Sequence, residues 1–246
     1  MREQPEQQAP PVQRLRIRYA KRGRLRFTSH RDFSRAFERA VFRARVPMAY
    51  SSGFNPHPRI SYAGAAPTGS ASEAEYLEIA LAEQVDPVAV HAALDEALPD
   101  GLDVLEVVQS PGGSLSDRLE ASTWRITLPG VPADVAASAV AAFLAADEVS
   151  VERMTKKGLR TFDCREAVVS LGSHATTGSG TECAILDLVL RHGTPSVRPD
   201  DVLAGLRAIG GLEVGSAPVH ERLAQGPLDA LTGTVGDPLA PDRDAV

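Results

Sequence analysis

The chain has 246 residues, of which 43% are hydrophobic and 24% are charged, with 20 glycines, 18 prolines and two cysteines. This composition excludes a collagen-like chain, a disulfide scaffold and a wholly disordered chain, and the length fits one large domain or two domains of roughly 100 to 200 residues. The formal net charge of −6, from 26 Lys and Arg against 32 Asp and Glu, conceals an uneven distribution.

Basic residues are concentrated between residues 13 and 59. This segment holds 13 Lys and Arg but only two acids, Asp32 and Glu38, so it carries +11 and the remainder of the chain carries −17. Twelve of the 13 cations are arginine, whose planar guanidinium binds phosphate or carboxylate through paired hydrogen bonds. The asymmetry indicates an anionic partner for this segment. The alternative is a general preference of the chain for Arg over Lys.

The first predicted elements are a strand and a helix within the basic segment. Alternating charged and apolar residues predict a strand over residues 14–19, whose exposed face carries only arginine. Ser29 is the predicted N-cap of a helix running from Arg31 to Arg45. Four arginines recur every fourth residue on the side opposite its apolar residues, within an arc of about 120°. We expect a guanidinium stripe that continues the arginine face of the strand, formed by Arg31, Arg35, Arg39 and Arg43.

The predicted strands and helices fall into two halves that have a similar order of elements. In the first half, strands are predicted at residues 48–50, 59–63, 75–81 and 102–108, with a second helix from Pro87 to Leu98. In the second half, strands are predicted at residues 124–128, 149–154, 166–171, 183–190 and 212–219, with helices at residues 132–144 and 199–210. Corresponding first strands begin about 110 residues apart, and the prolines that open the second helices are 112 residues apart.

These elements predict an α+β fold of two tandem ferredoxin-like units, each with the order βαββαβ, packed as one body. We place the first unit, with the basic face, at residues 13–110 and the second at residues 121–223. Residues 1–12 and 224–246 are expected to be a disordered lead and tail. The architecture is similar to tandem ferredoxin-like folds that handle RNA, a likeness of fold alone.

Two loops contain the residue types that bind anions. The first is RLRFTSHRD, residues 24–32, and the second is YSSGFNPHPRIS, residues 50–61. His30 lies near a helix start, where partial positive charge favours an anion, although a histidine in a loop is also common as a surface or capping residue. The candidate binding residues are Arg24, Arg26, Ser29, His30, Arg31, Arg35, Arg39, Gly53, Phe54, His57 and Arg59.

Other motifs carry less information about chemistry. Without HExxH or CxxC, and with Cys164 and Cys183 as the only cysteines, the sequence predicts no metal site and no cofactor. A second basic patch at residues 156–160 is either a solvated turn or an extension of an anion-binding track. The glycine-rich segment 172–180 resembles a phosphate loop only in composition and is interpreted as a hairpin connection.

These motifs carry a resemblance to a known family. RLRFTSHRD, AYSSGFNPHPRISY and SEAEYLEI resemble the radical-SAM-linked protein family, domain of unknown function 2344, from Arg14 to about Leu81 and more weakly to about residue 223. Asn55 stands where His is common in that family. The matching positions are Ser29, His30, Asp32, Gly53, Phe54, His57, Pro58 and Arg59.

The resemblance implies a companion of a radical S-adenosylmethionine enzyme, because the family's domain is fused to such an enzyme or encoded near it. The sequence has no CxxxCxxC and therefore no set of three cluster thiolates for a radical centre of its own. We expect a non-catalytic module that binds RNA or another polyanion through the arginine face. The alternatives are a protein–protein adaptor and a metal-independent endoribonuclease with His30 or His57 as general acid or base.

No apolar run approaches the roughly 20 residues that cross a bilayer, and the N-terminal MREQPEQQAPP lacks the apolar core of a secretory signal. We therefore expect a cytoplasmic protein with no membrane partner.

Overall fold

The computed structural model describes residues 7–155, 158–176 and 183–243, which form an α+β fold with ten strands and five α-helices. The chain divides into two units. One contains Met1–Arg118 together with Pro238–Val246, and the other contains Leu119–Asp237.

The first unit contains an antiparallel sheet with the strand order β4-β1-β3-β2. A short 3-10 helix, Gly23–Phe27, joins β1 to the first helix. Both helices bury their apolar residues against the same face of the sheet, which includes Ile17 and Leu77. The elements are β1 (Gln13–Lys21), α1 (His30–Arg43), β2 (Ile60–Ala63), β3 (Ala71–Leu81), α2 (Pro87–Ala97) and β4 (Val104–Gln109).

Several predictions in this unit are confirmed. Ser29 caps α1, and α2 begins at Pro87 as predicted, with Asp86 as its N-cap. The helix α1 ends at Arg43 rather than Arg45, which adopts a positive φ of 53°. The strand predicted at residues 48–50 is wrong, because these residues form only isolated bridges, from Met48 to Leu81 and from Tyr50 to Pro58.

The second unit contains an antiparallel sheet with the strand order β10-β5-β9-β8, and β6 and β7 pair as a separate hairpin. Small residues let α3 and α4 approach closely at Ala139 and Gly210. The elements are β5 (Ala121–Pro129), α3 (Ala133–Ala145), β6 (Ser150–Thr155), β7 (Gly158–Asp163), β8 (Val168–Ala175), β9 (Cys183–Arg191), α4 (Pro199–Gly210) and β10 (Val219–Gly226).

Three predictions in the second unit require correction. The basic patch at residues 156–160 was interpreted as a turn, but its residues 158–160 belong to β7, which pairs along its whole length with β6. The last strand occupies residues 219–226 instead of 212–219, since Gly211 ends α4 in a left-handed conformation and an irregular segment follows it. The strand predicted at residues 166–171 extends to Ala175 as β8, into the segment predicted as a glycine-rich connection.

The segment expected to be a disordered tail contains structure. After β10, Leu228 bridges to Val235, and a short helix α5 (Ala240–Arg243) follows. Leu239 and Asp242 are fully buried. Composition alone suggested disorder because Gly, Pro and Asp are frequent here, but the burial of these two side chains holds the segment in place.

Candidate functional site

The helix α1 presents two faces of opposite character. Phe33, Phe37, Ala40 and Val41 are buried. Ser29 begins the helix, since its hydroxyl oxygen accepts a hydrogen bond from the Asp32 backbone N–H at 3.2 Å and donates to the Asp32 carboxylate at 2.7 Å. The N-terminus of α1 therefore already faces a carboxylate of its own chain, where the sequence suggested that an anion could bind.

The opposite face carries the arginine stripe, formed by Arg31, Arg35, Arg39 and Arg43. All four side chains are exposed, as the periodicity predicted. Among the residues that the structure describes, none of them forms an ion pair. One of them, Arg43, donates a hydrogen bond to the carbonyl of Ala97 at 3.2 Å. The stripe thus offers positive charge that the described structure leaves uncompensated.

The expectation that β1 extends this face is wrong. Arg16 is fully buried and pairs with Glu78 at 3.0 Å and with Asp242 at 2.8 Å. Arg14 pairs with the same Glu78 at 3.0 Å, and Arg18 donates to the backbone carbonyl of Glu73 at 2.8 Å. Carboxylates from beyond residue 59 pair with Arg14 and Arg16, and the burial of Arg16 interrupts the arginine face, on which Arg14 is exposed and Arg18 is half-buried.

The three cations that follow β1 differ in their surroundings. Arg22 pairs with Glu73 and Asp103, and the hydrogen bond to Glu73 raises its pKa further above the usual arginine range. Arg24 is exposed and forms no ion pair within the described ranges. The guanidinium carbon of Arg26 lies 4.8 Å from the ring centroid of Phe27, a cation–π distance. Arg24 therefore stays available to an external ligand, whereas Arg22 does not. Arg26 is half-buried, and its Nε is buried without a hydrogen-bond partner.

The two candidate histidines lie in different environments. The His30 ring packs edge-on against Tyr62, with 4.8 Å between ring centroids, and burial raises the pKa of the Tyr62 hydroxyl. His57 is exposed, and its backbone N–H donates to the Ser51 hydroxyl at 3.0 Å. In the described part of the chain the two rings make no contact with each other, so the structure does not assemble an acid–base pair from them.

The loop between Tyr50 and Arg59 is closed at its base. The Ser51 N–H donates to the His57 carbonyl at 2.9 Å, and the Arg59 Nε donates to the Tyr50 carbonyl at 3.0 Å. Gly53 has a φ of +129°, a conformation that side chains with a Cβ rarely adopt, so this position requires glycine for its backbone. Phe54, next to it, is 69% exposed. The loop holds Phe54 in solvent on a constrained backbone.

Sequence reasoning missed one feature of the same face. Phe42 is 84% exposed and lines a shallow depression of about 620 Å³ together with Arg35, Glu38, Arg39 and Arg43. The helical periodicity already indicated that Phe42 lies on the arginine side. At about 100° per residue, its side chain falls about 20° from that of Arg31 around the helix axis.

The described residues contain no cluster of metal ligands, and one of the two cysteines is buried. Within the described ranges, no three His, Cys, Asp or Glu side chains lie close enough together to hold a metal ion. Cys164 is buried, and burial raises the pKa of its thiol to about 12, which keeps it protonated.

The second basic patch and the glycine-rich segment are only partly described. Arg160 is exposed on β7, while Lys156, Lys157 and residues 177–180 lie outside the described residues. In the described residues, no helix combines the length and apolarity needed to cross a bilayer.

Comparison with curated proteins gives no match. A family model described as an uncharacterized protein conserved in bacteria, domain of unknown function 2344, matches residues 14–199. The matched range covers about three quarters of the chain and includes every candidate binding residue given above. The chain therefore belongs to this uncharacterized bacterial family.

Proposed function

We propose that this protein is a non-catalytic, cytoplasmic companion of a radical S-adenosylmethionine enzyme and binds RNA through the arginine stripe of α1. Arg24, Arg26 and the loop of residues 50–59 extend the binding surface. The resemblance stated above supports the link to the radical enzyme, and the chain has no CxxxCxxC that would make it such an enzyme itself.

The observation that carries the RNA-binding proposal is the stripe itself. Solvated helices commonly interleave Glu with Lys or Arg so that residues four apart attract one another. Here Arg31, Arg35, Arg39 and Arg43 are four residues apart and repel one another. The two acids within residues 31–43 are Glu38 and Asp32, whose carboxylate accepts a hydrogen bond from the Ser29 hydroxyl. Binding of a polyanion would relieve this repulsion and would release the counterions of the polyanion, and both effects favour the complex.

The architecture agrees with this proposal. Each unit has helices on one side of an antiparallel sheet, with strand orders β4-β1-β3-β2 and β10-β5-β9-β8. Both orders are those of a ferredoxin-like βαββαβ unit, with the hairpin β6–β7 inserted in the second. We propose that the chain is a tandem ferredoxin-like protein, an architecture compatible with RNA binding that does not by itself establish it.

The test of RNA binding is a salt titration. Binding of the intact chain to fluorescently labelled tRNA and rRNA fragments is measured by anisotropy between about 50 and 300 mM KCl. With four phosphate contacts, the logarithm of the association constant should fall with the logarithm of salt with a slope of about −3. A flat slope, or no binding at submillimolar protein, would overturn the proposal.

The test of partnership is co-purification of the tagged chain with the radical S-adenosylmethionine protein encoded nearby, with and without nuclease. Recovery of that enzyme supports the companion role. Recovery that resists nuclease, together with absence of salt-dependent RNA binding, would instead establish a protein–protein adaptor whose arginines meet an acidic partner surface.

A further inference from the structure

Exposed aromatic side chains are confined to the basic segment of the molecule. Among the twelve aromatic residues, four are exposed, and all four lie between residues 27 and 54; the other eight are buried or half-buried. The exposed fractions are 59% for Phe27, 84% for Phe42, 42% for Tyr50 and 69% for Phe54. Single exposed apolar residues are normal on a protein surface, but this clustering coincides with the uncompensated arginines.

Phe42 is the clearest of the four. It lies in the last turn of α1, on the arginine side, and shares its depression with Arg35, Arg39 and Arg43. The core of the first unit is supplied from the other side of the helix by Phe33 and Phe37, so packing does not require an aromatic residue at position 42. An exposed phenylalanine among arginines combines an apolar ring with several phosphate-binding groups.

Phe27, which lies before the start of α1, is also an exposed aromatic ring beside an arginine. The Arg26 guanidinium carbon lies 4.8 Å from its ring centroid, and a Cβ added at Gly69 would lie 3.9 Å from the ring. Phe42 lies 12 residues after His30, the first residue of α1, so about 18 Å of helix lies between the start of α1, just after Phe27, and Phe42. An aromatic ring therefore lies near each end of the arginine stripe.

From this juxtaposition we propose that the RNA bound by the stripe is single-stranded, with unpaired bases stacked on Phe42 and Phe27 and phosphates bound by the arginines between them. This inference rests on the function proposed above and adds the substrate class. Arginines alone do not distinguish strands from duplexes, because both present phosphates. Aromatic faces do, since the bases of a duplex are already stacked on one another, whereas unpaired bases can stack on a protein ring.

The experiment compares one single-stranded RNA with a duplex of equal length, each with the wild-type chain and with Phe42→Ala. Because Phe42 is exposed, its truncation leaves the fold intact. Loss of one stacked base should weaken single-strand binding by about 5- to 100-fold, with the salt slope unchanged because no phosphate contact is lost. Duplex binding should change less than twofold. Phe42→Trp should retain single-strand affinity, and Phe27→Ala should repeat the loss.

Val88→Ala is the matched control, since Val88 is an exposed apolar residue on α2 of the same unit and lies outside the proposed surface. The inference is overturned if Phe42→Ala and Phe27→Ala bind the single strand as the wild type does, or if they weaken single strand and duplex equally. In both cases the wild-type chain would still bind RNA in a salt-dependent manner, so the RNA-binding proposal would stand. Failure of that proposal gives a different result, because the wild-type chain would then bind neither the single strand nor the duplex.

Discussion

The carboxylate of Asp242 accepts two hydrogen bonds from one nitrogen of the Arg16 guanidinium, at 3.0 and 2.8 Å, and both side chains are fully buried. Arg16 lies in the first strand of the chain and Asp242 in the last helix. Arg118 also pairs with this carboxylate at 2.8 Å. A cluster of charges inside the first unit thus joins the two ends of the described chain.

Removal of the acid from this cluster should be strongly destabilising. Asp242→Ala leaves the buried guanidinium of Arg16 without its closest counter-charge, and breaking a buried pair typically costs about 3–5 kcal/mol. We expect a loss of this size in the free energy of unfolding, measured with urea. Glu106→Ala is the control, because it removes a solvent-exposed pair with Arg243 and should cost about 1 kcal/mol or less. Equal effects of the two variants would contradict the prediction.

Arg39→Ala tests the arginine stripe. If this side chain binds one phosphate, its loss should reduce the magnitude of the salt slope by about 0.7–0.9 and weaken RNA binding to a similar degree for all sequences. Arg207→Ala removes an exposed arginine of α4, in the second unit, and should change neither quantity. The measurement is the anisotropy titration at several KCl concentrations. The same slope for Arg39→Ala and the wild type would exclude this arginine from the contact.

Stability should decrease as the pH falls from 7.5 to 5.5. Burial lowers the pKa of His192, whose ring nitrogens lie 2.7 Å from the Leu119 carbonyl and 3.0 Å from the Ser122 hydroxyl. The unfolded chain, with an ordinary histidine pKa of about 6.5, binds the proton first, so acid favours unfolding in this range. His220 contributes with the same sign, because burial lowers its pKa also.

His192→Gln should therefore reduce the dependence of the urea midpoint on pH across this interval. Parallel pH profiles for His192→Gln and the wild type would show that this histidine does not contribute.

Gly210→Ala should destabilise the second unit although alanine favours helices. A Cβ at this position would lie 2.6 Å from the Cα and 2.7 Å from the Cβ of Ala139, so α3 and α4 would have to separate. Overpacking of this kind costs about 1–3 kcal/mol, more than the roughly 1 kcal/mol gained in helix propensity. Gly215→Ala is the control, since its Cβ would meet no atom within 4 Å. A urea midpoint of Gly210→Ala equal to or above that of the wild type would disprove the close packing.

The sequence was informative where local periodicity determines structure. The α1 stripe and the Ser29 cap follow from spacing and hydrogen-bonding chemistry within a few residues, and both are present. The environment of Arg16 could not be predicted, because alternation specifies two faces of a strand but not what covers each of them. Asp242, which pairs with the buried Arg16, lies 226 residues away in a segment whose composition suggested disorder.

The candidate surface was only partly predictable for the same reason. Spacing identified the arginines of α1. It could not show that Arg22 is neutralised by Glu73 and Asp103, because these acids lie 51 and 81 residues away in the sequence. Phe42 could have been found from the helical periodicity of α1 once its angle was compared with that of Arg31. Its exposure, and that of Phe54, required the structure.

The ion pair between Arg16 and Asp242 has a consequence for biosynthesis. The first unit includes residues from both ends of the described chain, and all of Leu119–Asp237 is translated between its two parts. When translation has reached residue 118, Asp242 has not yet been synthesised, so Arg16 in β1 lacks its buried partner. The first unit therefore completes its buried ion-pair cluster only after the last helix has been synthesised, whereas the second unit is continuous in sequence.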